Sequence, residues 1–369
     1  MFSTFLKEIS GYFDRRFFLS AFFPVLAFAS LSLGMSLCLW GPQTLFELWQ
    51  KQPTELQAGM VVGVLGIILF IAYLFHIFQT NLTRLYEGYW DNLPVLSWWG
   101  NFRKRFYQRQ WDFFDKEVGR LVKEISPLEL IIPEEETELQ RKERGRKVEE
   151  LRDQLSKPER EWFLLLPPRR AFVMPTRLGN ILRASELYSM RRYNLDSVVV
   201  WPRMQGLLPN EFAEGLRDAK ANLDLLLVVT TLAGIFSLGW EIGLGIWTNR
   251  WDLFLIASLG WFLALLSYSG VLQAALSYSE LIKASFDLYR WELLKALHLK
   301  MPESYKDERK LWDQVNDLLY RNYPPAPEVF RYETEPTKPT SPTHGGFIQR
   351  VLTTLAHLFG QGDKPGAKK

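Results

Sequence analysis

Four blocks of this chain are almost free of charge: residues 17–40, 58–80, 223–247 and 253–279. The first and last contain no Asp, Glu, Lys, Arg or His, the second holds only His76, and the third holds only Asp224 and Glu241. About 20 consecutive apolar residues, wound as a helix, cross the ~30 Å hydrocarbon layer of a bilayer. All four blocks reach that length; burial in a large soluble core is the alternative, and four such spans in a chain of 369 residues weigh against it. The expectation is four transmembrane helices, paired as two hairpins. The first block is too long for the apolar part of a signal peptide and follows sixteen polar and aromatic residues, so it is expected to remain as a membrane helix.

Basic residues orient such a chain, because they are retained on the cytoplasmic side. Lys7, Arg15 and Arg16 precede the first block, and Arg84, Arg103, Lys104 and Arg105 follow the second. Arg217 and Lys220 lead into the third, and Lys283, Arg290 and Lys295 follow the fourth. The short connections carry only Lys51 and Arg250, with Trp40, Trp49, Trp247 and Trp251 gathered beside them. Both termini and the middle region are therefore expected in the cytoplasm. The chain then divides into an amphipathic lead-in (1–16), a first hairpin (17–80), a cytoplasmic α+β domain (81–222) and a second hairpin (223–279). Cytoplasmic helices (280–321), a Pro-rich linker (322–346) and an amphipathic helix with a basic tail (347–369) follow. That last helix suits a cytoplasmic protein partner or the inner membrane surface.

Residues 81–220 carry 25 Lys+Arg and 22 Asp+Glu. Phe114, Val118, Leu121, Val122 and Ile125 recur at helical spacing and predict a helix over about 102–125. Acids followed by bases predict a second over about 133–156. Because bases alternate with acids, no nucleic-acid surface is expected. Three runs, EWFLLLP (161–167), RAFVMP (170–175) and DSVVVWP (196–202), predict short strands ended by proline. Between the last two lies PTRLGNILRASE (175–186), with Thr176 placed as an N-cap, Gly179 allowing close backbone approach, and Leu178, Ile181 and Leu182 on one face. The surrounding segment holds Arg169, Arg170, Arg177, Arg183, Arg191, Arg192 and Arg203 against Glu186 and Asp196. Arginine favours bidentate contacts to phosphate or carboxylate, so the segment reads either as a surface for an anion or anionic lipid headgroup, or as internal pairs with Glu186 and Asp196.

Within the apolar blocks, Glu241 is costly facing lipid and is a candidate polar site together with Ser267 and Gln273. Gly59 with Gly63, Gly239 with Gly243, and the run of small residues containing Gly260 and Gly270 permit close helix packing. The four histidines have no ligand spacing and the one cysteine, Cys38, lies in an apolar block, so neither a metal site nor a cofactor is expected. Phosphate-loop, nucleophile-elbow and zinc-protease patterns are missing, and no catalytic residue is assigned.

PTRLGNILRASELYSMRRYNLDSVVVWPRM resembles a group of bacterial multi-pass membrane proteins with a Pro-Thr-x-Leu-Gly-Asn, Glu, Arg-Tyr, Asp and Trp-Pro-Arg pattern. Pro175, Thr176, Leu178, Gly179, Asn180, Glu186, Arg192, Tyr193, Asp196, Trp201, Pro202 and Arg203 carry the match. The resemblance spans roughly residues 160–320 and implies a bacterial plasma membrane, but no substrate or catalytic group. The two-hairpin layout is similar to that of bestrophin-type anion channels, without their motifs. Two functions fit this sequence: a self-associating channel regulated by its cytoplasmic domain, and a scaffold or signalling component recruiting partners through the Arg-rich domain and C-terminal helix. A membrane enzyme acting on a lipid or envelope precursor is a third class.

Overall fold

A computed structural model describes residues 15–91, 94–130, 136–247 and 250–321, with residues 323, 330 and 332. The amphipathic lead-in, most of the Pro-rich linker and the C-terminal helix lie outside the described residues.

Four helices are long and apolar enough to cross a membrane. The first, α1 (Arg15–Trp40), is followed by the short α2 (Pro42–Gln50) and by α3 (Thr54–Ile77). The other two are α10 (Asn210–Trp247) and α11 (Trp251–Ala296). At 1.5 Å per residue, α10 and α11 are about 57 and 69 Å long, well beyond the ~30 Å of a bilayer core. Their charged ends therefore continue past the membrane and become struts for the rest of the chain.

Small residues bring α10 and α11 together. A Cβ at Gly260 would overlap the Ser237 hydroxyl and lie 3.0 Å from the Ala233 carbonyl. Ser237 Oγ donates to Ala257 O at 2.7 Å, and Ser267 Oγ donates to Leu226 O at 3.0 Å. The first hairpin joins this pair through α1. A π turn at Phe18–Phe22 widens the helix, which lets Phe17, Phe18, Ala21 and Phe22 all turn inward. They pack with Ile68 and Ala72 of α3 and with Val228 and Leu232 of α10.

Between the hairpins run α4 (Gln79–Glu87), α5 (Pro94–Leu130), α6 (Glu138–Leu165), α7 (Arg177–Glu186), α8 (Tyr188–Tyr193) and α9 (Ser197–Met204). α5 and α6 pair along Leu121, Ile125 and Leu151. Thr137 and Gln140 form a reciprocal capping box that starts α6. After α11, Ser304 caps α12 (Tyr305–Asn316) by accepting from Asp307 N. Trp312, Phe286, Leu294, Val200 and Met204 form the core that seals α9, α11 and α12 into one unit.

The predicted α+β domain is corrected. Among the described residues the region is helical and holds no strand; the isolated bridge between Leu299 and Tyr332 lies outside it, after α11. Residues 161–165 belong to α6, which runs through Pro158. Trp162 and Leu166 sit four apart and pack on Tyr107 and Trp111 of α5. The 170–175 run holds only a 3-10 turn, Arg170–Phe172. In the 196–202 run, Asp196 accepts from Val198 N and Val199 N and starts α9. That cap, with burial of Val200, overrides the strand preference of three consecutive valines.

Candidate functional site

The motif helix α7 is fastened to the end of α4 by side chains whose types leave little choice. Thr176 Oγ1 accepts from Gly179 N at 2.9 Å and donates to Glu87 O at 2.8 Å. A side chain at Gly179 would overlap that same Glu87 carbonyl. Gly88, which ends α4 with φ +98°, faces Pro175 so closely that no Cβ fits there either. Asn180 is fully buried, and its amide is satisfied three times: it donates to Met174 O and Thr176 O and accepts from Met174 N. On the other side, Leu178, Ile181 and Leu182 pack on Leu223, Leu227, Val271 and Ala275. Thr176 and Gly179 thus hold the first hairpin to the second, and Asn180 fixes the turn that presents them.

That junction lines an open cavity of about 720 Å³. Thr80, Thr83, Arg84 and Glu87 of α4 form one wall, and Leu182, Ser185 and Glu186 of α7 a second. Val198 and Trp201 of α9, Lys220 and Leu223 of α10, and Tyr278, Ile282 and Phe286 of α11 complete it. Thr80, Leu223 and Tyr278 mark its level, because they stand at the charged-side ends of three different apolar blocks. The cavity is mixed in character, with apolar walls and two cations facing two carboxylates. Burial, reinforced by the neighbouring Glu186 carboxylate, pushes the Glu87 carboxyl up to about 7, although Lys220, Arg84 and Arg183 pull it down. Lys220 is bonded to Asp224 and Glu186 to Arg183, leaving Arg84 as the cation of the wall with no ion pair within the described chain.

A second polar cluster lies deeper in the charged-side unit. Tyr188 OH donates to both Asp287 oxygens, at 2.9 and 2.8 Å, and Tyr193 OH to one of them at 2.6 Å. Burial and these bonds to a carboxylate push the Tyr193 phenol up to about 12, so it remains a donor at any physiological pH. Arg192 donates to Tyr188 OH, Arg290 lies 4.1 Å over the Tyr193 ring, and Arg290 and Trp291 both bond Glu308. The cluster fixes α8, α11 and α12 to one another.

The arginines of the 167–204 segment are not brought to one place. Arg170 pairs with Asp112 at 2.8 Å, and Arg183 pairs with Glu186 at 2.9 Å while lying over Phe172. Arg191 lies over Trp162, Arg203 donates to Val199 O, and Arg169 is exposed. Arg177 lines a separate small hollow with Trp99, Arg103 and Tyr268. Asp196 serves as the α9 cap, and Trp201 packs against Phe286 at the cavity wall. In the apolar blocks, Glu241 Oε1 accepts from Ser258 Oγ at 3.0 Å and Oε2 from Trp261 Nε1 at 3.1 Å, so it ties α10 to α11. Ser267 is buried in the same seam, whereas Gln273 is exposed. Gly270 meets Leu226, but nothing approaches Gly59, Gly63 or Gly239 within 4 Å, and Gly243 borders a small recess with Trp240.

Sequence reasoning missed Arg84, Glu87 and Lys220. Their signal was present: Thr80, Thr83, Arg84 and Glu87 share one polar face immediately after an apolar block, at helical spacing. Comparison with family models, with curated proteins and with solved structures gave no match.

Proposed function

We propose that the chain is a membrane-anchored scaffold or signalling protein whose input is a phosphate-headed amphiphile drawn from the inner leaflet. The charged end of the bundle is taken as the cytoplasmic side of a bacterial plasma membrane, following the basic residues. The observation that carries the reading is the position of the cavity, where three apolar blocks end, with Arg84 and Lys220 beside Leu182, Leu223 and Ile282. A pocket of this size takes a headgroup and the first part of an acyl chain. Because its walls come from both hairpins and from α7 and α9, occupancy braces or parts the elements that carry the rest of the charged-side unit. A bound state of this kind can be shown to a protein partner.

The test is binding of dioctanoyl phosphatidylglycerol to the detergent-purified protein by titration calorimetry. The expected result is saturable binding near one lipid per chain, weakened at least tenfold by Val198→Trp together with Thr80→Trp, both at exposed rim positions. Absence of saturable binding, or equal binding by the blocked variant, contradicts the proposal.

A pore formed by self-association is the second reading. One observation favours it: the Gly59, Gly63 and Gly66 face of α3 is open. Glu241 and Ser267, which would have lined a path, instead bond across the α10–α11 seam. Ion flux from liposomes that is lost on bulky substitution at Gly63 would favour the pore over the scaffold.

A further inference from the structure

The helix α5 has two apolar faces, and the fold uses one. Tyr107, Val118, Leu121 and Ile125 are buried against α6 and the turn before α7. On a second face, about a third of a turn round the helix, Val95, Trp98, Trp99, Phe102, Phe106 and Phe113 are all exposed, Trp98 by 72% and Phe113 by 63%. Their spacing puts them on one stripe, about 27 Å long from Val95 to Phe113. Arg105, Arg109 and Lys116 border it, exposed and with no ion pair within the described residues. The stripe begins beside the membrane-spanning surface: Trp99 and Arg103 share a hollow with Tyr268 and Leu272 of α11.

From this arrangement we infer that the first half of α5 lies in the plane of the inner leaflet, its aromatic stripe bedded among acyl chains and its basic border on anionic headgroups. Two arguments select lipid as the occupant. The stripe is continuous with the α11 surface at Tyr268 and Leu272, seven or more residues inside the charged-side end of that apolar block, so its first turn already lies within the membrane boundary. Its composition, Trp and Phe flanked by Arg and Lys, is that of a helix that settles at the interface and is held there by anionic lipid. An upright α5 would carry Phe113 about 27 Å away from the boundary with its ring still exposed. In the plane, the same residue lies at the depth of Val95. The α5–α6 pair then extends along the membrane, with α6 on the side away from lipid. This inference does not rest on the cavity.

Site-directed spin labelling tests it in the full chain, reconstituted in vesicles of phosphatidylcholine and phosphatidylglycerol. Single cysteines at Phe102, Phe106 and Phe113, with Asp115 as the control on the other side, are placed in a Cys38→Ser background. Labels at the three stripe positions should relax with oxygen and be shielded from a water-soluble nickel chelate, at similar depths, while Asp115→Cys should show the reverse. Replacing Arg105, Arg109 and Lys116 together by Glu should bring the Phe113 label at least threefold closer to full nickel exposure in these vesicles. Pure phosphatidylcholine vesicles should show a smaller change. Nickel exposure rising steadily from 102 to 113 would mean an upright helix. Shielding from both reagents would mean a protein cover, either a second copy or another chain. Either result overturns the inference.

Discussion

The α10–α11 hairpin buries Leu223, Leu227, Val228, Leu232, Ala233 and Phe236 from one helix and Leu253, Ala257, Gly260, Ala264, Ser267 and Val271 from the other. In the first hairpin α1 buries Phe17, Phe18, Ala21, Phe22, Val25 and Met35, whereas α3 buries only Ile68 and Ala72. α3 is as apolar as α10 and α11, so the difference lies in side-chain size at the seam. Alternating Gly, Ala and Ser let α10 and α11 approach closely and exchange hydrogen bonds through Ser237, Ser258 and Ser267. The glycines of α3 face nothing among the described residues. The second hairpin is thus a framework, and the first is held to it at three places: the phenylalanines of the π turn, the contact of Phe28 and Met35 with Phe236, Leu244 and Ala257, and the Thr176–Gly179 junction with α4. The cavity is built at the last of these, where the sparsely packed first hairpin meets the rigid one.

The comparison is most exposed to matched glycine substitutions. Gly260→Leu should cost ~3 kcal/mol or more, because the new side chain meets Ser237 and the Ala233 backbone in a packed seam. Gly63→Leu should change monomer stability by less than ~0.5 kcal/mol. Thermal unfolding in detergent measures both, and equal losses would break the distinction. Next is Asn180→Ala, which leaves Met174 N–H and Met174 O without their side-chain partner, while Thr176 O keeps its backbone bond from residue 180, and should cost about 2 kcal/mol. Limited proteolysis of that variant should cut first between α4 and α7, with the α10–α11 seam intact.

Glu87 gives a pH-dependent effect. Its carboxyl titrates near 7 in the folded chain against 4.5 when unperturbed, so the folded state holds the proton more tightly. Stability should therefore fall as pH rises from about 4.5 to 7 and level off above, by at most ~3 kcal/mol and by less as solvent screens the half-buried carboxylate. Glu87→Gln should flatten this profile and raise stability at pH 8. An ionised Glu87 also repels a phosphate headgroup, so lipid affinity should weaken as pH rises through about 7 in the natural chain but not in the variant. Smallest is Ser267→Ala, which loses one cross-helix hydrogen bond, with an expected cost of ~0.6 kcal/mol.

How much of this was legible follows from what each signal depends on. The four apolar helices were readable because hydropathy over 20 residues is a local property. So was the start of α12, where Ser304 and Asp307 are three apart. The region between the hairpins was misread where local preference and tertiary contact disagree: the valines of 198–200 favour a strand, but the Asp196 cap and the Trp312 core make them helical. The motif residues of α7 could be named, yet their partner could not, because Glu87 O is a backbone atom 89 residues away. The cavity was invisible for the same reason. Its cations, Arg84 and Lys220, come from two helices separated by 136 positions, whereas the arginine-rich segment that drew attention supplies none of the lining cations.

The central claim, that the junction of the two hairpins holds an amphiphile, is tested most directly by native mass spectrometry of the protein released from mild detergent. The account predicts one retained phospholipid per chain, absent from the Val198→Trp, Thr80→Trp variant at equal folding. A chain that carries no lipid, or a blocked variant that carries as much as the natural protein, would contradict it.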